Sequence, residues 1–501
     1  MTTRAEKRCL LCSLPVLLVL AFILYAESFG HQWTLDDFPV IVDNLDVKSW
    51  AGFLENSYPG RPLRELSFLL DHTFFGLNPA GWHLQNILWH ALNAWLLLLL
   101  ALRLGAGRFT AWSAGLIFLV HPVTVEVVAN ISHRKDSLAL ACILLATFAY
   151  VRGLRADGRR WLWLAGAFVL GLLGWMAKEN AAVLPLLWLG YEALFVPAEN
   201  RLLLRSPNLV LGIAAAGAAA LIVWYFGLGG LELHRQGMAP VLAKMTVYLE
   251  PGSVAPYLLM ALKSLTFMVG KLLWPLALAP EYVYGAPGGW FDPWVFGALA
   301  LVTGYLLLLW RAWRRWPQAA FALLWLGLFW LPTANLWPLS YFAADRYLYA
   351  PLAGLALLTP LVIERWCPGK NHLPVQLLAL LLFACALLSW QQNRVWATPL
   401  ALWSHAARVA PASTSARNNL GAAYLELGRL EEARDEFKQA AANFDNPMPW
   451  YNLGRVYEQL GDREQALYHY RAYLAFNDPA TATLAAQLRL RLWRQYGVQI
   501  R

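Results

Sequence analysis

About eleven stretches of this chain are apolar over roughly the 20 residues that an α-helix needs to cross a bilayer. They fall near 10–26, 84–102, 109–130, 137–151, 161–177, 181–197, 208–227, 292–310, 318–338, 347–363 and 373–390. A soluble domain carries roughly 25% charged residues, whereas this chain has 14%, with 59% hydrophobic. That balance excludes an ordinary soluble enzyme and predicts an all-α, polytopic membrane protein. The net charge of +9 is no sign of nucleic-acid binding, because the basic residues form short clusters between apolar runs rather than one stripe.

Those clusters predict the topology. Arg4, Lys7 and Arg8 precede the first run, Arg103 and Arg108 follow the second, Arg152, Arg155, Arg159 and Arg160 the fourth, and Arg201 and Arg205 the sixth. Positive residues collect in short cytoplasmic loops, so the N-terminus is expected inside. Segment 254–276 carries Lys263 and Lys271 and is expected to be re-entrant or interfacial. Only then do Arg311, Arg314 and Arg315 lie inside and the C-terminus outside. The first run lacks a small-x-small cleavage site and reads as an uncleaved anchor. Cys9, Cys12 and Cys367 fall near the cytoplasm, and Cys142 and Cys385 fall in spans, so no external disulfide framework is expected.

After Trp396 the chain becomes charged and rich in Ala, Leu and Glu, and it repeats. Leu420, Gly421, Tyr424, Leu427, Gly428, Ala433 and Phe437 recur 33 positions later as Leu453, Gly454, Tyr457, Leu460, Gly461, Ala466 and Tyr470. Small and aromatic residues at that period resemble the tetratricopeptide repeat, in which paired helices stack. The expected organisation is a membrane domain over 1–395, with outer segments 27–83 and 228–291, and an extracytoplasmic repeat solenoid over 396–501. Full repeats are expected at about 414–446 and 447–479, preceded by a partial one at Trp403 and Ala406 and closed by a helix over 480–496. Such a module ordinarily binds or positions a protein.

Polar residues interrupt the apolar pattern at four places. Asp36-Asp37 lies in the first outer loop, where paired carboxylates suit metal binding, proton removal from a hydroxyl, or helix capping. His83, Asn86, His90 and Asn93 share one stripe of the second span, suited either to a cavity or to interhelical hydrogen bonds. Near the outer surface come His121 with Glu126, Asn130 and His133-Arg134-Lys135-Asp136, then Lys178-Glu179-Asn180, and finally Asp345-Arg346-Tyr347 with Tyr349. Cations held outside against the charge rule suggest an anionic ligand such as a lipid phosphate. Snorkelling and local ion pairs explain any one cluster equally well. No third ligand at zinc spacing accompanies the histidines, and no nucleotide-binding motif is present.

In order along the chain, Trp33-Thr34-Leu35-Asp36-Asp37, Arg61-Pro62-Leu63, Leu77-Asn78-Pro79-Ala80-Gly81-Trp82-His83, Asn86, His90, His121-Pro122, Arg134-Lys135-Asp136, Lys178-Glu179, Ala279-Pro280-Glu281-Tyr282-Val283-Tyr284 and Asp345-Arg346-Tyr347-Leu348-Tyr349 resemble the transmembrane and tetratricopeptide-repeat O-mannosyltransferases. The resemblance covers nearly the whole chain, although repeats are few for the eukaryotic members. It implies a C-type membrane glycosyltransferase that takes a hexose from a polyisoprenyl phosphate and places it on a protein hydroxyl outside the cytoplasm, here at a bacterial inner membrane. It also implies an acidic base at Asp36-Asp37, with Asp37 preferred. Arg134, Lys135, Lys178 and Arg346 are expected to hold the donor phosphate. His83, Asn86, His90, Glu126, Glu179 and Tyr347 are expected to orient substrate. The expected partners are the lipid-linked sugar and a protein acceptor recruited by the repeats; no cofactor is expected.

Overall fold

The computed structural model describes residues 4–56, 61–155, 158–206, 208, 255–283, 285, 287–336, 339, 341–366, 372–442, 446–478 and 481–498. These residues are largely helical, with no strand among them. Proline at the first helical position opens many of the helices, where its missing amide removes only a hydrogen bond that a helix start cannot make. In chain order the first helices are α1 (Arg4–Tyr25), α2 (Trp50–Asn56), α3 (Pro62–Phe75), α4 (Pro79–Arg103), α5 (Arg108–Val120), α6 (Val125–Ala129), α7 (Arg134–Arg155), α8 (Arg160–Ala177) and α9 (Leu184–Phe195). After the intervening segment come α10 (Ala255–Leu273), α11 (Pro293–Arg315), α12 (Pro317–Trp330), α13 (Tyr349–Trp366) and α14 (Leu373–Val395).

Seven helical segments among the described residues are long and apolar enough to cross a membrane: Ser13–Gly30, Pro79–Arg103, Ile131–Arg155, Arg160–Ala177, Pro293–Arg315, Asp345–Trp366 and Leu373–Val395. The pair Arg108–Val120 and Pro122–Ala129 makes an eighth if its 54° bend is taken as one broken span. The chain is an integral membrane protein. The count is lower than apolar run length predicts because backbone breaks shorten several runs. His121-Pro122 breaks one run, since proline disfavours helix in the residue before it. The run at 181–197 yields only the 12-residue α9, and that at 318–338 yields the 14-residue α12. The expected span at 208–227 lies outside the described residues. Segment 254–276 is the helix α10, which is not among the seven.

The core is built around α4, whose His90 and Asn93 both reach the Tyr349 hydroxyl of α13, at 3.0 and 3.3 Å. His90 also meets the Leu119 carbonyl at 3.0 Å, and Asn93 donates to the Ser137 carbonyl at 2.9 Å. These contacts pair both ring nitrogens of His90 and the amide nitrogen of Asn93 inside an apolar bundle, where hydrocarbon offers no partners.

The solenoid follows as α15 (Pro399–Val409), α16 (Thr414–Glu426), α17 (Leu430–Ala441), α18 (Met448–Gln459), α19 (Arg463–Ala475) and α20 (Ala482–Tyr496). Gly421 and Gly454 lie against the rings of Phe437 and Tyr470, where a Cβ would collide. The first helix of the solenoid is packed into the membrane unit: Leu402, Trp403, Ala406 and Ala407 belong to the same apolar core as the spans. His405 donates to the Leu278 carbonyl at 2.9 Å, and Ser413 donates to Glu281 at 3.2 Å.

Candidate active site

Leu35 takes a left-handed backbone conformation, φ 51°, strained for a residue with a branched side chain. That turn sends the next two carboxylates in different directions. Asp37 is wholly buried. Its Oδ2 accepts the Thr34 amide at 3.1 Å, and its Oδ1 accepts the Ser132 amide at 2.8 Å. Burial dominates those favourable bonds and pushes its carboxyl up to about 7. Asp37 therefore does not cap the turn that follows it; it ties the first loop to the turn before α7. Asp36, by contrast, has a half-exposed side chain, with Oδ2 3.8 Å from Nε2 of the buried His133. The preferred base from the sequence, Asp37, is inaccessible, and the accessible carboxylate of the pair is Asp36.

Glu126 lies on the other side of His133, with Oε1 3.5 Å from Nδ1. Its carboxylate accepts both the Arg346 backbone amide at 2.8 Å and the Arg346 guanidinium at 2.6 Å. Arg346 also stacks over the rings of Tyr341 and Tyr347, 5.1 and 5.3 Å from their centroids. Burial pushes the Tyr341 phenol up to about 12, so it is a neutral hydroxyl. Nearby, Tyr282 donates to Asp345 at 2.6 Å and accepts the Ala279 amide at 3.0 Å. Tyr284 lies outside the described residues.

The four expected phosphate ligands divide into two groups. Arg134 is fully buried and engaged: it pairs with Asp71 at 2.5 Å, donates to Asn86 Oδ1 at 2.7 Å and to the Trp82 carbonyl at 3.0 Å, and lies over Phe68. Lys178 is buried against Asp136, and Arg346 is committed to Glu126. An arginine so enclosed has no free donors for a ligand, so Arg134 joins helices instead. Lys135 is the exception among the four, since no hydrogen bond or ion pair satisfies it among the described residues. Arg61, Arg64, Asp136 and Arg346 lie within electrostatic range of it. Arg61 was not among the expected ligands; among the described residues it pairs with the exposed Glu179, at 3.3 Å, an attachment that water weakens.

The expected substrate-orienting residues also separate. Asn86 donates to the carbonyls of Val128 and Asn130 at 3.2 and 3.3 Å and, like His90, serves packing. His83 is buried against the ring of His31, centroids 5.7 Å apart, rather than at an open mouth. Glu126, Glu179 and Tyr347 do come together with Asp36, Lys135 and Arg346. His133, absent from the expected ligands, stands between Asp36 and Glu126. Its only sequence signal is its place before the Arg134-Lys135 pair.

The tetratricopeptide-repeat family model matches residues 414–442 and 449–477. Protein O-mannosyl-transferase Tmtc3 of Drosophila melanogaster is 26% identical over 89% of this chain and 57% of its own length. Protein O-mannosyl-transferase TMTC4 of Mus musculus is 23% identical over 82% of this chain and 64% of its own. Tmtc1 of Drosophila melanogaster reaches 34% identity, over 32% of this chain and 20% of its own.

This chain is similar in sequence to the protein O-mannosyl-transferases.

It spans only part of those relatives, between about a fifth and two thirds of the length of the three named here. An archaeal oligosaccharyltransferase, AglB of Archaeoglobus fulgidus, superposes on 79% of the chain and 56% of its own with a TM-score of 0.43 and 13% identity, too loose a likeness to establish a shared fold. At 89% and 82% of this chain, the similarity to Tmtc3 and TMTC4 extends well beyond the repeats into the membrane unit.

Proposed function

We propose that this protein is a membrane glycosyltransferase that moves a hexose from a polyisoprenyl-phosphate donor to a hydroxyl of a protein acceptor on the extracytoplasmic side of a plasma membrane. The observation that carries this reading is the half-exposed carboxylate of Asp36 beside the buried His133, in a cluster that also holds Arg61, Arg346 and Lys135, a lysine with no hydrogen bond or ion pair among the described residues. A base and a phosphate-binding cation are the two groups that such a transfer needs.

The acceptor hydroxyl loses its proton to Asp36 as its oxygen attacks C1 of the sugar. The bond from C1 to phosphate oxygen breaks, and Lys135 with Arg61 receives the growing negative charge. Fixed cations in a poorly solvated site make that stabilisation large. Attack opposite the leaving phosphate inverts C1, and no second carboxylate nucleophile is needed. Asp37 acts at one remove by fixing the loop that presents Asp36. The repeats rise from α15, seated in the membrane core and joined through Ser413 to Glu281, so an acceptor held on them would be brought close to the cluster.

The test is purified protein in lipid with a panel of polyisoprenyl-phosphate hexoses and polyisoprenyl-diphosphate sugars plus protein acceptors. Consumption of one monophosphate donor, with sugar on a Ser or Thr hydroxyl, supports the reading. Consumption of a diphosphate donor alone makes the protein an oligosaccharide ligase, and consumption of none makes it a scaffold.

A further inference from the structure

His133 has an unusual position. Its ring is 1% exposed, and neither nitrogen makes a hydrogen bond among the described residues. A buried donor or acceptor left without a partner is costly, so such a group calls for a reason. Both nitrogens instead face carboxylates, Nδ1 towards Glu126 at 3.5 Å and Nε2 towards Asp36 at 3.8 Å. The placement is enforced from both sides. Arg346 fixes the Glu126 carboxylate with two hydrogen bonds. The turn carrying His133 is fixed by the Ser132 amide on Asp37 at 2.8 Å and by the Ser132 hydroxyl on Asn130 at 2.5 Å. A carboxylate at Nδ1 selects the tautomer with its proton there, leaving the Nε2 lone pair aimed at Asp36.

We propose that His133 is a positioning residue for transfer, acting through Asp36: Nε2 holds the Asp36 carboxylate in place and takes over the proton that Asp36 removes from the acceptor hydroxyl. The proposal rests on the glycosyltransferase reading above. In the full step, the acceptor O–H bond breaks while its oxygen bonds to C1. The C1–O bond to phosphate breaks, and its electron pair leaves on the phosphate. The proton passes to Asp36 and then to Nε2, and Glu126 balances the imidazolium.

The gap of 3.8 Å must tighten when substrates bind, as catalytic hydrogen bonds commonly do. Charged groups of both signs surround His133. Lys135, Arg346, Lys178 and Arg61 face it with positive charge, while Asp36 and Glu126 face it with carboxylates. An anionic lipid phosphate lying against Lys135 and Arg61 would offset part of that positive charge when donor is bound.

The experiment compares wild type with His133→Ala and His133→Asn in lipid, using polyisoprenyl-phosphate mannose and a Ser/Thr-rich polypeptide as acceptor. Both variants should lose about 100-fold in kcat, the scale of one lost proton-transfer partner, with donor KM within about threefold. Added imidazole should restore turnover to His133→Ala, and pyrazole, a ring of the same size but a far weaker base, should not. Equal rescue by both rings, or a kcat within about threefold of wild type, overturns the proposal. Should His133→Ala fail to fold, His133→Asn decides alone: its amide keeps a donor towards Glu126 but supplies no base at Asp36, so near-normal turnover overturns the proposal and a kcat-only loss supports it. A wild type that consumes donor in these assays separates a failure of this role from a failure of the parent reading; an inert wild type overturns both.

Discussion

The carboxylate of Asp37 accepts the backbone amide of Ser132 at 2.8 Å, a bond that joins residues 95 positions apart and fastens the first loop to the turn before α7. Everything in the candidate site depends on that link. It fixes Asp36 beside His133 from one side and Lys135 from the other.

Because burial raises Asp37 from 3.8 to about 7, its protonated form is favoured in the fold. Between these values the folded chain binds more protons than the unfolded one, so this group's stabilisation is complete below about pH 4 and is lost as pH rises towards 7. The shift sets a ceiling of about 4 kcal/mol on the loss, at 1.36 kcal/mol per unit. Thermal unfolding in detergent should show wild type losing stability from pH 4 to 8 relative to Asp37→Asn; parallel curves would contradict the assignment.

Breaking the buried pair of Arg134 and Asp71 should be severe. Arg134→Ala leaves an uncompensated carboxylate, and such losses run to about 3–5 kcal/mol. The double change Arg134→Met with Asp71→Leu should cost clearly less than the sum of its single changes, because the two residues interact directly. Additive melting shifts would mean that the pair carries no coupling.

Lys135 and Lys178 should behave oppositely. Lys135→Ala removes an unpaired cation, so donor KM should rise about tenfold, equivalent to 1.4 kcal/mol of binding, with little change in melting temperature. Lys178→Ala orphans Asp136 and should destabilise the fold. Steady-state kinetics beside thermal melts distinguishes the two; equal donor KM for wild type and Lys135→Ala would remove Lys135 from the phosphate site.

Gly421→Ala should loosen the solenoid, since a Cβ there would lie 2.8 Å from the Phe437 ring. Overpacking of this kind costs typically about 1–3 kcal/mol. Limited proteolysis should cut within residues 414–477 in the variant before wild type.

Apolar run length and repeat spacing were enough to read the fold class, the membrane character and the repeats. Backbone breaks were harder to see: Pro122 reads as an ordinary span residue until the chain bends there by 54°. The site was legible as a set of residues and illegible as roles. Arg134 and Lys135 are adjacent and equally charged in the sequence, and only packing shows that one is spent on Asp71 and Asn86 while the other has no hydrogen bond or ion pair among the described residues. Asp36 and Asp37 present the same difficulty, decided by the left-handed turn at Leu35. His133 carried almost no signal because its meaning lies in two carboxylates, one 97 residues upstream and the other 7.

The most direct test is donor consumption by wild type and Asp36→Asn, purified in lipid with a polyisoprenyl-phosphate hexose that wild type turns over. The account predicts that Asp36→Asn melts like wild type, binds the donor with similar affinity and transfers sugar at least about 100-fold more slowly. Near-normal transfer by a well-folded Asp36→Asn would contradict it.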